Sequence, residues 1–338
     1  KSANFNFLKF TKPTVIVSAI VILVGSFLLI AHKQNIMGMD FTGGYALTVD
    51  LPVSAEKNYR THVEDALIKQ GVYSQELQIR ELNPSNQVRI FLSRSLEQKG
   101  RPFYQLPATT NVGGYPYEGN PKIVWIVDAL QKDGIQLSAP ALQDLGEQWT
   151  AISGQMSETM KTNALVGITI ALLCILAYIT LRFEYKYAIS ATLCLIHDVV
   201  FCLGVLAILN VLGVPIQLDL HTVAALLTIV GYSLNDTIIV FDRIREDVRH
   251  MRKRSLTEII NHALNVTLSR TLMTSGITLL VLIPLILLGG STLFGFALIM
   301  AIGVIFGTLS SLFIAAPLMQ FFHNRQQQKQ GVITINEP

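Results

Sequence analysis

The chain has 338 residues, 51% of them from the AVILMFWYC set and only 14% charged, with a mean hydropathy of +0.45. A water-facing domain carries about 25% charged residues, so this composition argues against an ordinary soluble enzyme, and it excludes disorder, collagen and a cysteine-stapled secreted module. The net charge of +3 is too small to imply a nucleic-acid partner, and where the basic residues sit matters more than their number.

A basic N-terminal segment, 1–13, precedes a first apolar run from Thr14 to Ala31 that holds no charge. That run exceeds the core of a signal peptide, about 7–15 residues, and Ala31-His32-Lys33 is a poor cleavage site, so an uncleaved transmembrane anchor is expected. An opening residue of Lys1 in place of methionine points to a trimmed or excised piece of something longer.

Residues 33–161 are polar and mixed. Alternation over Tyr45–Asp50 predicts a strand that Pro52 ends, and Ser54 caps a helix to about Gln70 with Gly71 as its stop. Strands over 76–82 and 87–93 flank the turn Asn83-Pro84-Ser85-Asn86. A Gly-, Pro- and Tyr-rich loop fills 94–120, a second helix runs from Pro121 to about Lys132, and a last strand covers Ile135–Ser138. The order βαββαβ predicts an α+β, ferredoxin-like domain.

From Asn163 the chain is mostly apolar. Five further spans are read at 163–181, 188–209, 221–241, 265–288 and 292–321, each near the ~20 residues a helix needs to cross the hydrocarbon core. Six membrane helices with one domain inserted after the first, and a tail over 322–338, is the predicted architecture. Thirteen basic residues lie before the first span, at 182–187, at 242–262 and in the tail, while the connections 210–220 and 289–291 hold none. This bias puts both termini in the cytoplasm and 33–161 outside. The basic stretch 242–254 is read as a topology signal beside anionic lipid, with no nucleic acid involved. Cys174, Cys194 and Cys202 are read as small buried hydrophobes without a disulfide.

Enzyme chemistry leaves no trace. Neither a G-x-x-x-x-G-K-[ST] loop nor a G-x-S-x-G elbow is present, and no His/Cys cluster has zinc spacing, so no activity and no cofactor are expected. The informative residues are polar groups inside the spans, where an Asp or Arg costs ~2.5–3.5 kcal/mol on insertion scales. These are His197 and Asp198 in the third span, Asn235 and Asp236 in the fourth and Arg270 in the fifth. Asp236 and Arg270 each fall five residues from the inner ends expected for their spans, so opposite charges meet at matching depth. They form either a buried structural ion pair or a titratable carboxylate tuned by an arginine. His197-Asp198 is either a structural hydrogen-bonding pair or a relay. Met300, Gly303, Gly307 and Thr308 mark close helix packing. Asp40-Phe41-Thr42-Gly43-Gly44, ahead of the first strand, is either a tight turn or a hinge between membrane and domain.

Met39-Asp40-Phe41-Thr42-Gly43-Gly44 resembles the D-F-T-G-G signature of the bacterial SecD/SecF family. The run from Gly231 to Glu246 resembles the fourth-span motif of its SecF branch, where the SecD branch reads approximately V-D-A-N-V. Arg182-Phe183-Glu184-Tyr185, His197-Asp198, Ser269-Arg270-Thr271 and Thr274-Ser275-Gly276 are similar blocks. Two departures stand out. The family's V-G-P-x-V-G block survives only as Ser138-Ala139-Pro140 with Leu142, and the 94–120 insertion is longer than usual.

The resemblance implies a SecF subunit, or the SecF half of a fused SecDF chain, with six helices of the RND-transporter class and a periplasmic domain. It implies a multi-pass protein of the bacterial inner membrane that draws unfolded exported polypeptide outward, beside SecD and the SecYEG channel. Protons are the implied coupling ion. Asp236 and Arg270, with Asn235, match the proton-carrying residues, and Thr271 and Thr274 join His197 and Asp198 as relay or structural polar groups. Two other classes compete: an RND-type exporter of lipid or small molecules, and a translocase scaffold that does not pump.

Overall fold

The computed structural model describes residues 5–52, 59–81, 87–106, 114–152, 154–182, 184–214, 216–251 and 253–329. They form two compact units. One joins Lys1–Ala31, Leu165–Leu209 and His221–Pro338, and the other joins His32–Ala164 with Asn210–Leu220. The connection 210–220, two spans' worth of sequence away from the domain, thus groups with it.

Among the described residues six helices are long and apolar enough to cross a membrane: Phe7–Ala31, Ser157–Arg182, Tyr185–Val211, Leu220–His250, Leu256–Leu288 and Leu293–Gln326. Several outrun their expected ends. The fourth continues nine residues past Phe241 and the fifth begins nine before residue 265, so the long polar connection expected at 242–262 is mostly helix. Its charges pair instead of repelling. Arg243 bridges Glu246 at 3.1 Å and Asp247 at 3.0 Å, and His262 reaches Asp247 at 2.9 Å. Spacings of three and four residues put such side chains on one helical face. Ser255 and Glu258 then start the fifth helix with a capping box.

The sixth span is the centre of its unit, with 67% of its apolar window buried against 6% for the second. Close approach there needs glycine. A Cβ on Gly303 would lie 2.2 Å from Cδ1 of Ile229, and one on Gly307 would lie 3.1 Å from Cβ of Ser233, which packs the fourth and sixth spans tightly. The first and third spans meet in the same way, a Cβ on Gly25 falling 2.2 Å from Cα of Gly204. Small residues are how helices without a hydrophobic drive between them gain contact. Met300 is buried as well. Cys194 and Cys202 are buried as expected, but Cys174 is exposed, because the second span is peripheral.

In the α+β unit, β1 (Gly44–Asp50), β2 (Leu77–Glu81), β3 (Gln87–Ser93) and β4 (Trp149–Ile152) form one antiparallel sheet in the order β2-β3-β1-β4. Leu47 of β1 faces Ile90 on one side and Trp149 on the other. Helices Tyr59–Lys69 and Pro121–Lys132 bury Val63, Leu67, Ile126 and Leu130 with Val49, Ile90 and Leu92 of the sheet. This is the expected ferredoxin-like arrangement with one substitution. Ile135–Ser138 is not a strand. Ser138 instead caps a short helix, Ala139–Asp144, whose proline sits in its first turn, and the fourth strand comes from Trp149–Ile152. Loop 94–120 contributes the short 3-10 turns Arg94–Glu97 and Pro116–Gly119. The Ser54 cap and the Asn83–Asn86 turn lie outside the described residues.

A polar cluster fastens β1 to its neighbours. Tyr45 donates to Glu97 at 2.5 Å, and Lys122 donates to Tyr45 at 2.6 Å and to Glu97 at 2.5 Å, with the Tyr45 and Trp149 rings stacked 5.1 Å apart. Burial pushes the Glu97 carboxyl up, but the Lys122 and Tyr45 donors outweigh it and hold Glu97 below the ordinary carboxylate range. Burial likewise pulls Lys122 down, and Glu97 and Tyr45 overcome that to leave it raised.

Two outcomes are expected. Gly25→Ala forces two backbones apart and should lower stability by about 1–3 kcal/mol in a detergent melt, while Gly303→Ala should recover on adding Ile229→Ala. The Glu97 contribution is present above its unfolded pKa of about 4.3 and is lost as pH falls through its lower folded value. Glu97→Gln should therefore flatten the acid-side loss of hydrogen-exchange protection in β1 and cost under about 1 kcal/mol at neutral pH, since the pair is partly exposed.

Candidate functional site

The fourth span carries a buried face and an open one, and the Asn235-Asp236 pair straddles them. Successive residues on a helix point about 100° apart. Asp236 is fully buried, whereas Asn235 is exposed. A chain of hydroxyls leads to Asp236. Tyr232 donates to Ser275 at 3.1 Å, Ser275 lies 2.5 Å from Thr308, and Thr308 reaches Oδ2 of Asp236 at 3.4 Å. The last link is long, and Thr308 divides its single proton with the carbonyl of Val304 at 2.8 Å. Oδ1 of Asp236 has no partner at all among the described residues. The interior here does not neutralise a carboxylate's charge.

Asp198 is the opposite case. Its Oδ2 accepts from Ser233 at 2.6 Å and Ser310 at 2.8 Å, and Oδ1 lies 3.4 Å from Nδ1 of His197. Nε2 of His197 in turn meets Ser18 at 3.1 Å. The neighbours His197 and Asp198 thus share one network, which ties the first, third, fourth and sixth spans together. Both carboxylates draw on the same turn of the sixth span, and that turn runs straight into a π-helical stretch, Ser311–Ala315. Such irregular turns let a helix present two residue sets at once and recur at functional sites.

Arg270 stands apart. Asp236 lies 14 residues before His250 and Arg270 lies 14 residues after Leu256, so the depths match even though both helices are longer than expected. Their directions do not match. Thr271 and Ser275 take the buried face of the fifth span, which turns Arg270 outward to line a cavity of about 520 Å³ with Arg182, Asp242, Arg243 and Glu246. Among the described residues no ion pair joins Arg270 to Asp236, so the expected pair is not made.

The remaining predicted positions divide. Thr271 bonds the carbonyls of Thr267 and Leu268, and Thr274 those of Arg270 and Thr271, so both spend their hydroxyls on their own helix. Thr308, read as a packing residue, is the donor to Asp236 instead. Tyr232, Ser233, Ser275, Ser310 and Ser18 were not foreseen. A hydroxyl in an apolar helix usually bonds its own backbone, so its type and spacing give no signal of a contact with another span. In the α+β unit, Met39–Thr42 forms a helical turn, Phe41 is buried, and Gly43 adopts φ +75 before β1 begins at Gly44. The geometry is that of a tight turn, and Asp40 accepts from the backbone N–H of Leu220 at 3.0 Å. Among the described residues no group of three or more His, Cys, Asp and Glu side chains could hold a metal ion.

Residues 139–325 match the family described as protein export membrane protein SecD/SecF, C-terminal. The chain is 31% identical over 336 residues to protein translocase subunit SecF of Rhodothermus marinus, covering 99% of this chain and 98% of that protein. It is 34% identical over 322 residues to the subunit of the same name from Vibrio alginolyticus, covering 93% and 89%. Among solved structures it is similar to SecDF, a translocon-associated membrane protein from Thermus thermophilus, with a TM-score of 0.66 at 27% identity over 95% of this chain. SecDF in the super-membrane-facing form gives 0.67 at 28% over 97%. The chain spans 39% and 40% of those longer SecDF chains.

The two carboxylates should separate on mutation. Asp198→Asn keeps an oxygen for both serines, whereas Asp198→Leu strands Ser233 and leaves Ser310 only the carbonyl of Gly307 at 3.0 Å. Asp198→Leu should therefore cost about 1–3 kcal/mol more than Asp198→Asn in a detergent melt, the cost of one stranded buried group. Asp236→Asn keeps an oxygen for Thr308 and exchanges an unpartnered carboxylate oxygen for an unpartnered neutral amide nitrogen, so it should melt close to wild type.

Proposed function

Because the chain belongs to the SecD/SecF family of protein-export membrane proteins, as a SecF-type subunit of the Sec machinery, we propose that it couples inward proton movement to that export. Asp236 is the proton carrier. The observation that carries this reading is its burial with one oxygen unpartnered and the other held by a single long hydroxyl bond. A carboxyl kept solely for structure would be satisfied as Asp198 is. Arg270 lies at the same depth and faces a polar cavity in this arrangement, so in this reading it meets a deprotonated Asp236 only after the fifth span turns, while Asn235, next to Asp236 in sequence, lies on the open face of the fourth span.

In this reading the chain works with SecD beside the SecYEG channel on unfolded polypeptide. It lies in the bacterial inner membrane with both termini in the cytoplasm and the α+β unit on the periplasmic side. The charge bias of the connections and the relatives' shared name support that placement. A proton crossing 100 mV yields ~2.3 kcal/mol, enough to shift an equilibrium between two arrangements of the protein about fifty-fold. A scaffold that does not pump would be indifferent to this energy.

The test uses membrane vesicles holding this chain, SecD and SecYEG. Asp236→Asn should insert normally and lose the part of export that the proton gradient stimulates, leaving the ATP-driven part intact. Arg270→Lys should lose most of it too, because lysine offers a point charge without the guanidinium fork. Wild-type stimulation in Asp236→Asn would remove the carrier role.

A further inference from the structure

Hydroxyls serve the two buried carboxylates in different arrangements. At Asp198 they act in parallel, Ser233 and Ser310 both donating to Oδ2 at 2.6 and 2.8 Å. At Asp236 they stand in series. Tyr232 donates to Ser275 at 3.1 Å, Ser275 lies 2.5 Å from Thr308, and Thr308 reaches Oδ2 at 3.4 Å. A series neutralises a carboxylate little better than its last member alone, since each further bond strengthens the next only modestly. What a series adds is reach.

Ser275 marks the series as built. Thr267, Thr271, Thr274 and Thr278 of the same span each donate to a carbonyl one turn back, as hydroxyls in apolar helices do. Among the described residues Ser275 makes no such bond and spends its hydroxyl on the fourth and sixth spans. A hydroxyl carries one proton and accepts at its oxygen. Tyr232 gives its proton to the Ser275 oxygen, which leaves the Ser275 proton for Thr308 and the Thr308 proton for Asp236, so all three run the same way. One end of the series is the buried carboxyl. The other is half-buried Tyr232, beside Gly231, where an added Cβ meets nothing within 4 Å, and one turn from exposed Thr228. In the orientation proposed above, Tyr232 lies four residues, roughly 6 Å, nearer the outer end of the fourth span than Asp236 does.

We infer that Tyr232, Ser275 and Thr308 form the route by which a proton reaches Asp236 from the outer side. A hydrated proton joins the Tyr232 oxygen as the Tyr232 proton passes to Ser275, the Ser275 proton to Thr308 and the Thr308 proton to Oδ2. One O–H bond forms and one breaks at each hydroxyl, so all three end neutral, water is left behind and Asp236 becomes the neutral acid. Thr308 is the gate. Its proton is shared with the carbonyl of Val304 at 2.8 Å, the shorter of the two contacts, and while it points there the series is broken. Rotation of one hydroxyl closes it. This inference rests on the proton-coupled reading above, in which Asp236 is the carrier.

The experiment measures the gradient-stimulated and ATP-driven parts of export separately in vesicles holding the chain with SecD and SecYEG. Tyr232→Phe and Ser275→Ala touch no atom of Asp236, yet each should cut the stimulated part at least fivefold, with the ATP-driven part and the amount of inserted protein unchanged. If Ser275→Ala fails to insert, Tyr232→Phe at the half-buried end carries the same test. Thr308→Val, which keeps the shape and loses the hydroxyl, should be as weak, whereas Thr308→Ser, which keeps the hydroxyl and loses a methyl, should retain at least half. A packing role would reverse that order. Combining Tyr232→Phe with Ser275→Ala should be no worse than Ser275→Ala alone, because a series cut once is already cut. Wild-type stimulation in Tyr232→Phe or Ser275→Ala, Thr308→Val outperforming Thr308→Ser, or a double variant much weaker than either single would each overturn the inference. Failure of the underlying reading looks different: Asp236→Asn would then keep its stimulation. Loss in Asp236→Asn with full stimulation in Ser275→Ala would remove the route and leave the carrier.

Discussion

Two buried carboxylates share one turn of the sixth span, and the membrane unit is organised around meeting their demand. Thr308 turns to Asp236, and Ser310 turns to Asp198. A polar group inside an apolar bundle costs several kcal/mol unless another helix supplies its partner, so the positions of these hydroxyls dictate which helices must touch. The glycines follow from this. Gly307 lets Ser233 approach closely enough to reach Asp198, and Gly303 brings Ile229 against the same seam. The demand is met unevenly, generously at Asp198 and poorly at Asp236. That difference sets a firmly held carboxyl at Asp198 apart from a weakly held one at Asp236.

The spans were legible because length and apolarity are all that a membrane asks of a helix. Their ends were not, since a polar helix projecting beyond the apolar run has the composition of a loop. Arg243, Glu246 and Asp247 look like connection residues until their spacing is seen to pair them on one face. Depth survived that error because both helices were misjudged by the same amount. Direction did not survive, as an extended hydrophobic run carries too little periodicity to say which way Arg270 points. The sheet shows a related failure. Four alternating residues at 135–138 resemble a strand, yet Ser138 and Pro140 sit where a helix begins, and the edge of β1 was filled by a segment whose alternation is no clearer.

Ordinary residues proved more informative in the structure than rare ones. Asp and Arg within spans announce themselves by cost, whereas Ser18, Ser233, Ser275 and Ser310 are inexpensive and common in such helices. Each matters here through a neighbour far away in sequence. The same holds for Asp40, legible as part of a glycine turn but not as the cap of a helix that starts 180 residues later.

The π-helical stretch at Ser311–Ala315 has its own consequence for the sixth span. Before it, Thr308 and Ser310 face the carboxylates. After it, Ala316 and Met319 pack into the cluster around Phe241 and Ile260. One extra residue in a helical turn rotates everything beyond it by about 100°, so the two halves of this helix keep separate phases. Comparison of related chains across this region therefore has to be made in two frames, one on each side of Ser311. A single helical period carried through would assign lipid-facing roles to residues that hold the bundle together. A one-residue deletion there would turn Ala316 and Met319 out of that cluster, and an insertion restoring the count a few positions on would undo it.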